Sequence, residues 1–311
     1  MHQRPFKQVD VFTAQPYLGN PLAVVLDGSG LDDDAMQRFA AWTHLSETTF
    51  LRPPTDPSAD YSVRIFTPGG ELPFAGHPTL GSCHSWLQAG GQPKNPQFIV
   101  QECKVGRVLI RREGSRLAFA APPLKRSAPS PVLLAQVAAA LGVTAPQILA
   151  AQLLDNGPLW LGLLLDSPET VLQLTPDHAV LARLDAKVGV AAIYRAQEKP
   201  ALIGRANREA QAFRATPGSG KQNTPDASPA PDLEVRGFAA PIGVNEDPVT
   251  GSLNASLAQW LMAEGHMPER YMASQGLCLG RAGQVHIARD DAGQVWVGGE
   301  SVTCMNGQVM L

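Results

Sequence analysis

Apolar residues along this chain fall in short, strand-length runs broken by Gly, Pro and Asn, and only here and there at helical spacing. Residues 9–13 (VDVFT) and 22–26 (LAVVL) flank the turn-rich QPYLGNP at 15–21, a pattern that predicts a hairpin. Over 32–43, Met36, Phe39 and Trp42 recur every three residues, which predicts a helix. Residues 46–51, 61–66, 159–165 and 188–194 read as further strands. Gly298-Gly299 and the GRAG at 280–283 read as turns between strands.

Within this pattern two stretches resemble each other. VRIF at 63–66 is followed by GHPTLGS at 76–82, and VRGF at 235–238 by EDPVTGS at 246–252. Each copy reads V-R-x-F, then a loop, then a polar residue and P-x-x-G-S. Each runs into a helix-spaced set of apolar residues, Leu80, Cys83 and Leu87 in one, Leu253, Leu257, Trp260 and Leu261 in the other. Asn20-Pro21-Leu22 and Asn156-Gly157-Pro158, both before strands, extend the match. An internal repeat of this size predicts two similar domains about a pseudo-twofold axis. The segment 216–232, TPGSGKQNTPDASPAPD, has almost nothing to bury and reads as a flexible surface loop inside the second half.

Composition narrows the class. The 311 residues are 44% hydrophobic, enough for sizeable cores and two domains of ordinary size. Aromatics are 6%, so the cores rest on Leu, Val, Ile and Ala. The formal net charge is −3 with both signs interspersed, which offers neither a nucleic-acid stripe nor a polybasic membrane patch. No apolar run approaches the ~20 residues of a membrane span, and residues 1–7 lack the apolar core of a secretory signal. Cys83, Cys103, Cys278 and Cys304 are widely spaced, so they read as reduced thiols of a cytoplasmic protein. No His, Cys, Asp or Glu cluster has metal-ligand spacing, and no nucleotide or acyl-enzyme motif is present, so neither a metal nor a cofactor is expected.

The chemistry concentrates at the two repeat copies. His77 and Asp247 are expected at or near the N-caps of helices, with Pro78 and Pro248 near the first helical position. Gly76, Thr79, Thr250, Gly251 and Ser252 are small and would leave first-turn N–H groups free to bind a carboxylate. Two such ends facing one another would form a single electropositive cleft. Gly251→Val is expected to block that cleft while leaving the fold intact. Glu47, in LSETTF at 45–50, reads as a strand carboxylate at the cleft's edge, suited to general acid–base work. The matching stretch 188–194 carries no acid, so the carboxylate is present once per chain. His44 and His84 read as structural.

Taken together, VDVFTAQPYLGNPLAVV at 9–25, LSETTFL at 45–51, the two repeat copies, SQGLCLGR at 274–281 and VWVGGESV at 295–302 resemble the PhzF-like family of phenazine biosynthesis. The resemblance implies an α+β fold like that of diaminopimelate epimerase: two pseudo-symmetric lobes, each a curled β-sheet around a central helix. It implies an N-terminal lobe of residues 1–122 plus about 294–311, a C-terminal lobe of 123–293, and a homodimer. The family's catalytic glutamate maps onto Glu47, with His77 and Asp247 as further acid/base or positioning groups, and with Gly76, Pro78, Thr79, Thr250, Gly251 and Ser252 around the substrate carboxylate. The implied activity is a cofactor-independent isomerase that moves a carbon-bound proton on a small carboxylate-bearing molecule. The alternatives are a non-catalytic binder of small carboxylates, or an epimerase or racemase of a small amino acid. The two-thiol mechanism of diaminopimelate epimerase is not available, because its cysteine places fall at Ala75 or Gly76 and at Val249 or Thr250.

Overall fold

Residues 1–194 and 230–311 are described by the computed structural model; the loop expected at 216–232 falls outside them up to residue 229. The hairpin forms as expected: β1 (Gln3–Val11) pairs antiparallel with β2 (Asn20–Val25). A crossover through α1 (Asp33–Thr43) places β3 (Thr48–Arg52) parallel to β2. Asp32 caps α1, its carboxylate accepting from the Ala35 N–H at 2.7 Å. The helix does not bury its spaced apolar residues alike: Met36 is enclosed, but Trp42 is 75% exposed. Phe39 fills the intervening space, packed edge-on to Phe6 and Phe50, with Trp42 stacked on its outer face.

From β3 the chain runs antiparallel into β4 (Tyr61–Thr67) and turns through β5 (Gly70–Leu72). It then crosses by α2 (Gly76–Gln88) to β6 (Phe98–Cys103), which lies parallel to β4. β7 (Gly106–Glu113) and β8 (Arg116–Ala120) complete the sheet as a meander. Short β9 (Lys125–Ser127) leads to α3 (Pro131–Leu141) and pairs with β10 (Ile148–Asp155).

The same succession of pairings then recurs. β10 and β11 (Leu159–Leu165) are antiparallel. A crossover through α4 (Pro168–Gln173) and α5 (His178–Arg183) sets β12 (Val188–Ile193) parallel to β11. β13 (Leu233–Ala239) is antiparallel to β12 and turns into β14 (Val244–Asp247). The crossover helix α6 (Gly251–Ala263) leads to β15 (Arg270–Gln275), parallel to β13. β16 (Gly283–Arg289) and β17 (Val295–Gly299) follow as a meander.

Two features tie the halves together. β17 pairs with β16 on one side and β8 on the other, so Gly298 and Gly299 sit inside a buried strand and not in a turn. An added Cβ at Gly298 would stand 2.7 Å from the Leu117 carbonyl oxygen, which is why a residue without one permits this seam. β18 (Ser301–Met310) returns to pair antiparallel with β1. The central helices share one continuous apolar core, which includes Leu80 and Cys83 from α2 with Leu253, Leu257 and Trp260 from α6. Separate cores form where α1 covers the first sheet and where α3 to α5 cover the second.

The halves correspond residue by residue, but not in the register that the P-x-x-G-S match suggested. Arg64 holds Glu71 through paired bonds of 2.8 Å, with its guanidinium over Phe66. Arg236 holds Glu246 likewise, at 3.0 and 2.8 Å, and lies over Phe238. With those glutamates aligned, E-L-P-F-A-G-H at 71–77 matches E-D-P-V-T-G-S at 246–252, and Gly76 and Gly251 both open their helices. His77 therefore matches Ser252, and Asp247 matches Leu72. The strand registers Thr48↔Phe66 and Val188↔Phe238 put Lys187 where Glu47 stands in the first half.

Candidate active site

Glu47 lies in the loop that joins α1 to β3, one residue before the strand expected to contain it. His44 ends α1 in the left-handed conformation, at φ 55°, and the turn it makes frees residues 45–47 from the sheet. Glu47 therefore does not follow the strand's alternation. Its side chain is 15% exposed, and its Oε2 sits 3.3 Å from Nε2 of His77. Neither atom has an aligned hydrogen-bond partner.

The expected caps fall elsewhere. The N-caps are Ala75 and Thr250, and neither side chain bonds the first turn of its helix. His77 is the second residue of α2, Pro78 the third and Thr79 the fourth, while Asp247 ends β14 three residues before its N-cap. The first-turn N–H groups of both helices thus carry no side-chain cap, the condition that favours a bound anion. The two helix starts touch: an added Cβ on Gly76 would stand 2.9 Å from the Gly251 Cα, and one on Gly251 would stand 2.9 Å from the Gly76 Cα. A side chain at Gly251 thus meets backbone, and Gly251→Val strikes the helix contact itself. Thr79 is fully buried and accepts from Gln101 Nε2 at 3.0 Å. Its side chain serves the wall behind the helix. Ser252 accepts from the Trp160 indole N–H at 3.2 Å.

Asn20, which the sequence marked only as part of the repeat, links the two halves. Its Nδ2 lies 2.9 Å from Asp247 Oδ1, 2.9 Å from the Val249 carbonyl oxygen and 3.3 Å from His77 Nδ1. Thr250 Oγ1 donates to Asp247 Oδ2 at 2.7 Å. Gln275 Nε2 donates to Thr250 Oγ1 and to the Asp247 carbonyl, and its Oε1 accepts from the Thr250 N–H and from Asn254. The side chains of Asn20, His77, Thr250, Asn254 and Gln275 are buried, so this network fixes Asp247 from both halves.

The electrostatics divide the titrating groups. Loss of solvation, with the Asp247 charge second, pushes the Glu47 carboxyl up to about 8. Asp247 is also raised by desolvation, with donors from Thr250 and Asn20 opposing the rise. Burial brings His77 down to about 3, leaving a neutral ring. Its Nδ1 faces the Asn20 amide at 3.3 Å and its Nε2 faces Glu47. The site thus combines two carboxyls of raised pKa, one of them held by neighbouring donors, a neutral imidazole and two uncapped helix ends. His44 is exposed, and His84 bonds Thr303 at 3.1 Å; neither joins this group. Among the described residues no cluster of His, Cys, Asp or Glu is arranged to hold a metal ion, and no helix is long and apolar enough to cross a membrane.

The architecture is mixed α+β, and the family and relatives that the chain matches make it an isomerase. The PhzC-PhzF family model, phenazine biosynthesis-like protein, matches residues 9–307, and the chain belongs to that family. It is 33% identical to the antisense-enhancing sequence 1 protein of Schizosaccharomyces pombe, with 99% of both chains covered. It is 29% identical to trans-2,3-dihydro-3-hydroxyanthranilate isomerase of Pseudomonas aeruginosa, over 97% of this chain and 98% of that one. A solved PhzF family protein of Enterococcus faecalis superposes with TM-score 0.74 at 24% identity, covering both chains fully.

Proposed function

We propose that the protein is a cofactor-independent isomerase that moves a carbon-bound proton on a small carboxylate-bearing substrate, with Glu47 as its single acid/base. The observation that carries this reading is the Glu47 carboxyl, buried against His77 and raised to about 8 at the meeting point of two uncapped helix ends. A carboxylate of that basicity is far better matched to a weakly acidic C–H than one near 4.5. The first-turn N–H groups at Gly76 and His77, and at Gly251 and Ser252, bind the substrate carboxylate and stabilise the charge that develops as the proton leaves. Glu47 then returns the proton to a second carbon on the same face, so no second base is needed. His77 steadies Glu47, and Asp247 keeps its basicity high. The Pseudomonas aeruginosa relative's name makes a ring bearing a carboxylate and a hydroxyl the first substrate to try. Residence in the cytoplasm and assembly as a homodimer belong to the same proposal.

The test is Glu47→Gln, which keeps shape but cannot take a proton. Turnover on a panel of cyclic and linear carboxylates, and substrate exchange with D₂O followed by NMR, should fall by about 10²-fold or more. In the native protein kcat/KM should rise with pH toward about 8 as Glu47 ionises. Near-native exchange in the variant removes Glu47 from the mechanism.

A further inference from the structure

The outer face of the seam between the halves carries a second cluster of charge. Directly paired strand residues share a face, so the registers place Arg111, Ala118, Gly298, His286 and Met272 in one row across β7, β8, β17, β16 and β15. Arg116 lies two residues from Ala118 and Arg270 two from Met272, which puts both on that same face. Because Ala118 and Gly298 are small, the middle of the row is a floor, and the longer side chains around it enclose a groove of about 360 Å³.

Three arginines, Arg111, Arg116 and Arg270, and two carboxylates, Glu113 and Asp232, line this groove. Arg111 lies over the Trp296 ring at 4.4 Å and pairs with Glu113, and its Nε is buried without an acceptor. Among the described residues, neither Arg116 nor Arg270 has a carboxylate within ion-pair distance. The more enclosed arginines of the two sheets, Arg64 and Arg236, each hold one through paired bonds. Arg116 instead lays Nη1 against the His286 ring, 3.0 Å from Nδ1 and 3.3 Å from Nε2. A guanidinium resting on an imidazole has no anionic partner there, and an oxyanion would supply a charge-assisted one.

We propose that this groove is a binding site for a small oxyanion of two or more charges, held by Arg116, Arg270 and His286 above the Ala118–Gly298 floor. It is a different place from the cleft of Glu47 and rests on none of the chemistry proposed there. Arg116 and Arg270 reach the anion from opposite sides of the floor, so the ligand spans the seam where β8 and β17 meet. Phosphoryl and carboxylate ligands share this chemistry, and pyrophosphate and citrate separate them.

The experiment is calorimetric titration of the full chain at low ionic strength with pyrophosphate and, in parallel, with citrate. At least one of the two should bind saturably to one site. Arg116→Gln combined with Arg270→Gln should weaken that binding by at least roughly tenfold, the scale of one lost charge-assisted bond. Binding should survive in Glu47→Gln, and the double variant should keep native D₂O exchange at the Glu47 site. Arg270 is exposed, so Arg270→Gln alone guards against a folding defect and should give a smaller loss in the same direction. The proposal is overturned if neither anion binds, if the double variant binds as well as the native chain, or if binding disappears in Glu47→Gln.

Discussion

The two helix starts are built alike and do different things. Each follows an Arg–Glu pair, opens on a glycine and lacks a side-chain cap. In the first half the second helical residue is His77, facing Glu47; in the second it is Ser252, tied to Trp160. Where the first half has Glu47 the second has Lys187, half-buried, its basicity lowered by desolvation and its ammonium 5.9 Å from the Trp160 ring. Asp247 comes from the second half but has a leucine as its counterpart, Leu72. The two halves thus share a like arrangement of uncapped helix starts, while Glu47 and His77 stand on one side of it and Asp247 comes from the other. Backbone geometry tolerates such differences because hydrogen bonds of the main chain do not depend on side-chain identity.

The sharpest way to break the likeness is at the glycine contact. Gly251→Val forces a side chain into the Gly76 backbone, with no flexible group to yield. Its expected cost exceeds about 4 kcal/mol, among the largest single-residue effects, and urea unfolding or the yield of soluble protein will show it. Survival with native stability would mean the helices can part freely.

Next in size is the contrast between the two Arg–Glu pairs. The side chains of Arg236 and Glu246 are 6% and 7% exposed, against 20% and 18% for Arg64 and Glu71. Arg236 also donates to the carbonyl oxygens of Val171 and Leu174, at 3.0 and 2.9 Å. Arg236→Met should cost about 3–5 kcal/mol by stranding a buried carboxylate. Arg64→Met should cost about 1 kcal/mol or less, because water and Lys104 remain near Glu71. Equal losses in denaturant melts would refute burial as the distinction.

The smallest effect sharpens the asymmetry at Glu47. Its pKa is higher folded than unfolded, so between about 4.5 and 8 the native state holds a proton that the unfolded chain has released. Stability contributed by this position therefore falls as pH rises through that window, and is lost in full above about 8. Glu47→Gln should match the native protein near pH 4 and exceed it near pH 8 by about 2 kcal/mol, with roughly 4–5 as the ceiling set by the shift. Thermal melts at the two pH values will show whether the gap opens in that direction.

Much of this organisation was legible along the chain. Strand-length apolar runs gave β2 to β4, β11 and β12 to within a few residues and only the last three residues of β1, which begins at Gln3, and the Pro-Gly segments marked both central helices. What failed depended on distant partners. The Gly298-Gly299 pair looks like a turn until β8 supplies the neighbour that needs glycine there. Trp42 fits a helical stripe, yet it stacks on the outer face of Phe39 and stays exposed. Matching P-x-x-G-S paired His77 with Asp247, whereas the fold aligns the glutamates that Arg64 and Arg236 hold. Glu47 was found, but not its place off the strand, since a left-handed His44 carries no strong local signal. Asn20 and Gln275 have ordinary sequence surroundings, and only their contacts across the site show their part in it.

The pairing of β1 with β18 constrains how the molecule is made. Gln3 faces Met310, so the two strands must find each other across nearly the whole chain. Local contacts cannot guide that step, and loop closure over such a span is entropically costly and slow. Until β18 has been synthesised, β1 presents one bare edge of backbone donors and acceptors beside β2. Such an edge is a template for pairing with other unfinished chains. The charged and polar residues of β1, among them Arg4, Lys7 and Asp10, interrupt the apolar run that would otherwise make this edge sticky. Nascent chains therefore carry this unpaired β1 edge throughout translation of the second half.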